Sequence, residues 1–237
     1  MRLLPFLFLA AAAGFSPAAG PEPGERAVYV LRWSFVSVGT VTMGLEEAGP
    51  GELQATLVAK ANAFMRTVHD FHTVISSRFP PGAGRSLGYE RHEKATGNVH
   101  ETFFDWEEGT VRYSKNGDTR VPLRLPDGAQ DPFSIVYAFR SGAVPLAPGR
   151  ITVPVTDGKA VARAVFRIGE PETVDTRAGE FRAVPVTADF KDVRAIFARP
   201  EGALVTVWLS DDARRLPVKL ESEATIGSFR AVLERIE

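Results

Sequence analysis

Apolar and polar positions alternate with a period of two through most of this chain, the signature of strands with one buried face. Val28–Phe35 runs directly into Val36–Met43, where Ser and Thr alternate with Val, and the two runs predict a hairpin. Gly49-Pro50-Gly51 marks the next turn, after which Leu53–Ala63 and Val68–Phe79 resume the pattern until Pro80-Pro81-Gly82 stops it. Leu87–His92 and Val99–Trp106 read as paired strands around Lys94–Gly97, followed by Thr110–Ser114 and a tight Asn116-Gly117 turn. Further strands are expected at Arg150–Val155, Ala160–Gly169, Glu172–Arg177, Gly179–Phe190, Ala195–Phe197, Ala203–Leu209 and Leu216–Ile236.

The period changes once. Phe133, Val136, Tyr137 and Arg140 fall at helical spacing behind Asp131-Pro132, with Asp131 as N-cap and Gly142 as stop, which predicts one short helix near residues 132–141. At this length it needs a sheet to pack on. The fold class expected is all-β: an antiparallel curved sheet forming a barrel or half-barrel, with that helix plugging or flanking it. Residues 27–237 read as a single β-rich domain, preceded by a flexible Pro- and Gly-rich lead-in at 20–26.

Residues 1–19 carry a different pattern. Arg2 precedes an almost unbroken apolar run from Leu3 to Phe15, and Ser16-Pro17-Ala18 supplies the small residues of a cleavage site. This is the composition of a secretion signal cleaved after Ala18 or Ala19, and the run is too short to span a bilayer. Loss of Arg2 takes the formal net charge from −1 to −2, so no basic face is advertised and nucleic acid is not an expected partner. With no cysteine, disulfides, thiolate metal sites and N-terminal lipidation are excluded, and a soluble periplasmic or secreted protein without a stable membrane anchor is expected. Sixteen Phe give the core rigid aromatics that suit sheets better than helices.

No set of nucleophile, base and orienting group converges in the sequence, so no catalytic residue, cofactor or metal is assigned. His69 and His72 lie three apart, on opposite faces of a strand, and His92 and His100 could face each other across their hairpin without a third ligand. Asp211-Asp212, followed by Arg214-Arg215, reads as an Asx-type turn rather than a catalytic pair. Ser134 lacks the glycine-flanked elbow of a hydrolase nucleophile.

Four segments together carry a resemblance: Trp33–Val41 with its central Gly39, Asp131–Arg140, Thr176–Phe181, and Val207–Val218 with its acidic turn and Pro-bearing strand. They resemble the exported bacterial proteins grouped as domain of unknown function 3108. The resemblance implies an exported, β-rich envelope protein and supplies no activity. The function expected is non-enzymatic: a periplasmic or secreted protein that binds a lipid or other apolar small molecule in envelope maintenance. Candidate ligand-binding residues are Trp33, Phe35, Phe104, Phe139 and Trp208, lining one elongated cavity. The alternative is a β-sandwich interaction module that docks on an envelope protein or glycan. A third, a hydrolase using Asp105, Asp211 and Asp212, would require facing buried carboxylates.

Overall fold

A computed structural model describes residues 20–189, 204–223 and 228–237. The expected signal segment at 1–19 and the expected strand at Ala195–Phe197 lie outside the described residues. Among the described residues, 16 strands form one antiparallel sheet. The chain order is β1 (Arg26–Trp33), β2 (Val36–Gly49), β3 (Glu52–Ala61), α1 (Ala63–Val68), β4 (His72–Phe79), β5 (Gly88–Glu93), β6 (Asn98–Asp105) and β7 (Thr110–Lys115). The short β8 (Asp118–Thr119) and β9 (Leu123–Arg124) precede α2 (Ser134–Ser141), β10 (Gly149–Thr156), β11 (Val161–Ile168), β12 (Glu172–Thr176) and β13 (Gly179–Asp189). β14 (Leu204–Ser210), β15 (Pro217–Glu223) and β16 (Ser228–Ile236) complete it.

The main path across the sheet is β10-β11-β13-β14-β15-β16-β1-β2-β3-β4-β5-β6-β7-β8, so the last strand, β16, pairs with the first, β1, in the middle of the sheet. The run read as Leu216–Ile236 is two antiparallel strands, β15 and β16, joined through residues outside the description. The two flanks of the sheet approach each other without a shared ladder: Thr102 Oγ1 on β6 donates to the Asp157 carbonyl in the β10–β11 turn at 2.7 Å. Gly158 permits this approach. A Cβ there would sit 2.9 Å from Thr102 Cγ2 and 3.0 Å from Tyr113 Cβ, and its φ of 82° suits glycine. Residues 125–131 staple the seam, since Gln130 N donates to Pro154 O and Thr156 N to Gln130 O, both at 2.9 Å. The architecture is therefore a strongly curved, unclosed sheet, the barrel-like form expected.

Alternation decides which face is inside. Leu45, Ala55, Phe79 and Val111 are buried on one face, whereas Arg78, Glu90 and Arg112 on the other are exposed. Helix α2 plugs one end of the curved sheet, burying Ile135, Tyr137, Ala138 and Phe139 against Phe79, Val155, Phe166 and Leu209. The Phe139 and Phe166 rings meet edge to face at 5.4 Å.

The helix begins at Ser134, two residues inside the expected 132–141, yet Asp131 does cap it. Its Oδ1 accepts from Phe133 N (2.7 Å) and Ser134 N (2.8 Å), and its Oδ2 accepts from the Ser77 (2.5 Å) and Ser86 (2.6 Å) hydroxyls. One carboxylate thus caps the helix and fastens it to β4. The expectation of a single helix needs correction: Ala63–Val68, placed at the end of one strand and the start of the next, is a helical turn whose N-cap Asn62 accepts from Met65 N at 2.8 Å. None of its residues is buried, so no periodic apolar stripe announced it.

The lead-in ends earlier than expected. Gly24 N donates to Leu45 O at 2.7 Å, and Glu25 holds Arg140, the largest fully buried side chain, with Arg140 Nη2 at 2.7 Å from both carboxylate oxygens.

Candidate functional site

Hairpin geometry gives the sheet two unlike ends. The β4–β5 and β14–β15 connections lie at the α2 end, where Ser141 Oγ donates to Gly82 O at 2.6 Å and Arg215 Nη1 to Phe139 O at 2.8 Å. Antiparallel alternation puts the β1–β2 turn, the β3–β4 connection with α1, and the β5–β6 and β10–β11 turns at the far end. The inner face changes along the same axis. Near α2 it is sealed, while toward the far end Leu31, Leu57, Ala59, Ile75, Val207 and Leu220 are only half-buried. An apolar inner wall thus opens at the end that no described helix plugs.

Large apolar side chains rim this opening. Phe35 is 93% exposed in the β1–β2 turn, Phe64 and Val68 stand out from α1, and Trp33 stacks on its cross-strand neighbour Phe229 at 6.5 Å. Asn62 joins α1 to the hairpin, its Nδ2 donating to Ser37 O at 2.6 Å and its N to Val38 O at 3.0 Å.

One flank of the inner wall is polar. Arg91 and Glu93 on β5, His100 on β6 and Tyr113 and Lys115 on β7 all share the inner side. Arg91 Nη2 donates to Glu93 Oε1, and His100 Nδ1 shares a hydrogen bond of 2.6 Å with the Tyr113 hydroxyl. Lys159 of the β10–β11 turn pairs with Asp157 at 2.7 Å and stands 5.0 Å above the Tyr113 ring. Burial, reinforced by the positive charges of Arg91, Lys159 and Lys115 against Glu93, lowers the His100 pKa below its ordinary value. Burial also raises the Tyr113 hydroxyl, against Arg120. Arg91 Nε and His100 Nε2 are buried without a hydrogen-bond partner.

The five aromatics expected to line one cavity are not brought together. Phe139 is a core residue of α2, and Phe104 packs against Trp106 and the inner clusters. Trp33 and Phe35 belong to the rim. Trp208 follows Val207 on β14 and so points to the other face, where Nε1 donates to Glu172 at 2.5 Å and Lys219 Nζ lies 4.0 Å above the ring. Aromatic identity alone carried no register, and one step along a strand moves a side chain to the other face.

The other sequence candidates resolve similarly. His100 pairs with Arg91 and His92 with Val99, so the two histidines lie on opposite faces rather than facing each other. No group of metal-ligating side chains stands out among the described residues. Asp211 pairs with Arg182 at 3.0 Å, whereas Asp212 accepts from Ser210 Oγ (2.7 Å), Arg214 N (3.0 Å) and Arg215 N (3.1 Å), as an Asx-type turn requires. Asp105 caps its own turn through Glu108 N at 2.9 Å. Ser134 Oγ donates to Gln130 Oε1 at 2.7 Å. The polar flank was the feature missed; its signal, Arg91, Glu93, His100 and Tyr113 at alternating positions of β5, β6 and β7, was present but needed the register.

No described helix is long and apolar enough to cross a membrane. No curated protein matches the chain. Among solved structures it is similar to a β-barrel-like protein of domain of unknown function 1849 from Brucella abortus, with a TM-score of 0.60 at 12% identity over 92% of this chain and 99% of that one. A candidate exported protein with a YmcC-like fold from Bacteroides fragilis gives a TM-score of 0.34 at 14% identity, over 92% of this chain and 97% of that one. A candidate lipoprotein from Parabacteroides distasonis gives 0.38 at 14% identity with the same coverage. The first shows the barrel-like fold. The family model described as protein of unknown function DUF3108 matches residues 28–234, almost the whole described sheet, and the chain belongs to that family.

Proposed function

We propose that this chain is a non-enzymatic envelope protein, exported by its N-terminal segment, that holds a lipid or another apolar molecule against the inner face of its sheet. The observation that carries the reading is the graded inner wall: sealed by α2 at one end, half-buried and apolar at the other. A filled β core would bury such residues throughout, because each exposed square ångström of apolar surface costs about 25 cal/mol. The open end and its aromatic rim offer a way in for an apolar molecule.

A second reading rests on the rim itself. Phe35, Phe64 and Val68 are exposed beyond what folding requires, as expected of an interaction module that docks on an envelope protein. The two readings separate in one experiment: saturable uptake of an environment-sensitive fatty-acid probe by delipidated protein, compared with an Ala59→Trp variant that fills the open wall. The carrier reading expects stoichiometric uptake by the parent and a marked loss in the folded variant. No uptake by the folded parent leaves docking through the rim as the surviving account.

A further inference from the structure

Resting on the carrier reading, we propose that Arg91, His100 and Lys115 seat the anionic head group of an amphiphile whose tail lies along Ile75 and Leu57. Leu57 pairs with Ile75, Ile75 with Arg91, Arg91 with His100, and His100 with Lys115, so one row of the inner face passes directly from apolar to cationic side chains. Neighbours in such a row stand about 5 Å apart, which places a head group at Arg91 next to the apolar wall that would take its chain.

The polar end of the row has unmet hydrogen-bonding capacity. Arg91 satisfies Glu93 through Nη2, while its Nε is buried and unpartnered; His100 Nε2 is likewise buried and unpartnered, and 3.8 Å from Glu93 Oε1 it is beyond hydrogen-bond reach. Of the two directions the Tyr113–His100 hydrogen bond allows, the one in which the Tyr113 hydroxyl donates to Nδ1 leaves the imidazole proton on Nε2, and both free nitrogens are then donors on adjacent strands. An oxyanion is the partner that satisfies two such donors. Counting the charged groups around the seat, Arg91, Lys115, Arg120 and Lys159 face Glu93, Asp118 and Asp157, a balance of one positive charge that an anionic ligand neutralises. Carboxylate and phosphate head groups share this chemistry.

The test compares cis-parinaric acid with its methyl ester, which keep one tail and differ in head-group charge, on the delipidated full chain and on the Arg91→Gln and Lys115→Gln variants. Lys115 is exposed, so its variant remains informative if Arg91→Gln does not fold. The parent should prefer the acid to the ester, and each folded variant should lose acid affinity, by about tenfold for Arg91→Gln, with ester affinity unchanged. A long-chain lysophosphatidic acid and a fatty acid, as competitors, distinguish the two head groups. Equal acid affinity in parent and both variants, with the ester still bound, overturns the head-group seat and leaves the carrier reading standing. Displacement of the acid by inorganic phosphate as effectively as by lysophosphatidic acid overturns the amphiphile and makes this a free-anion site. Binding of neither probe by the folded parent overturns the carrier reading and this inference with it.

Discussion

Asp131 joins a helix start to two neighbouring segments through one buried carboxylate. Read from the sequence it is a helix cap with a cost of about 1 kcal/mol on truncation. Buried, and accepting from two hydroxyls and two amides, it does more. Asp131→Ala strands four buried donors and should cost about 3–5 kcal/mol in chemical denaturation; a variant within 1 kcal/mol of the parent would contradict the described network. Burial pushes the Asp131 carboxyl up while those four bonds pull it down. Arg140 is the second such case. It is buried, paired with Glu25, and 5.1 Å above the Tyr137 ring, whose hydroxyl burial pushes up to about 12. Removing either partner leaves the other charge uncompensated, so Arg140→Ala and Glu25→Ala should each destabilise and their effects should be non-additive in a double-mutant cycle. Trp208 moves the other way: half-buried on the outer face, its truncation should cost less than the about 3–5 kcal/mol of a fully buried aromatic and should leave probe uptake unchanged.

At the scale of elements, the strands were legible because alternation and turn chemistry agree, as at Pro50-Gly51 and Asn116-Gly117. What alternation cannot supply is partner and phase. His92 and His100 looked opposed because the hairpin was right; their pairing is offset by one residue, which reverses the conclusion. The turn α1 escaped because its apolar Phe64 and Val68 are exposed, so their presence signalled burial that does not occur. Gly39 shows the reverse, a position where the strands leave no room for a side chain. A Cβ there would lie 2.1 Å from Lys60 O beside the bulge between Leu31 and Arg32, so Gly39→Ala must shift backbone and should lower the melting temperature by several degrees, a change of about 1–3 kcal/mol. An unchanged melting temperature would mean that β2 and β3 are further apart than described.

Over the whole molecule, curvature and the helix plug were foreseeable, whereas the polar flank and the open apolar end emerge only when distant strands are set side by side. pH reports on that assembly. The His100 pKa is held below its unfolded value, so its contribution to stability is present above about pH 6.5 and is lost as pH falls through the folded value; the His100→Gln variant should show a flatter melting temperature between about pH 7 and pH 5. Asp212 and Glu221 add the same sign lower down: burial opposes ionisation, but Ser210 and Arg214, and Lys219 and Arg230, hold both carboxyls low, and their contribution disappears below about pH 4. The proposed export by the N-terminal segment predicts a mature chain beginning at Ala19 or Gly20 in N-terminal sequencing, and recovery of Met1 on most of the protein would contradict it.

The central claim is that an apolar molecule occupies the open end of the inner wall, and native mass spectrometry of the protein purified from its own host without detergent tests it most directly. The account predicts a fraction of the folded protein carrying a noncovalent amphiphile, released on denaturation and diminished in the Ala59→Trp variant. A folded protein that shows only its bare mass and stays bare after incubation with envelope lipids would contradict it.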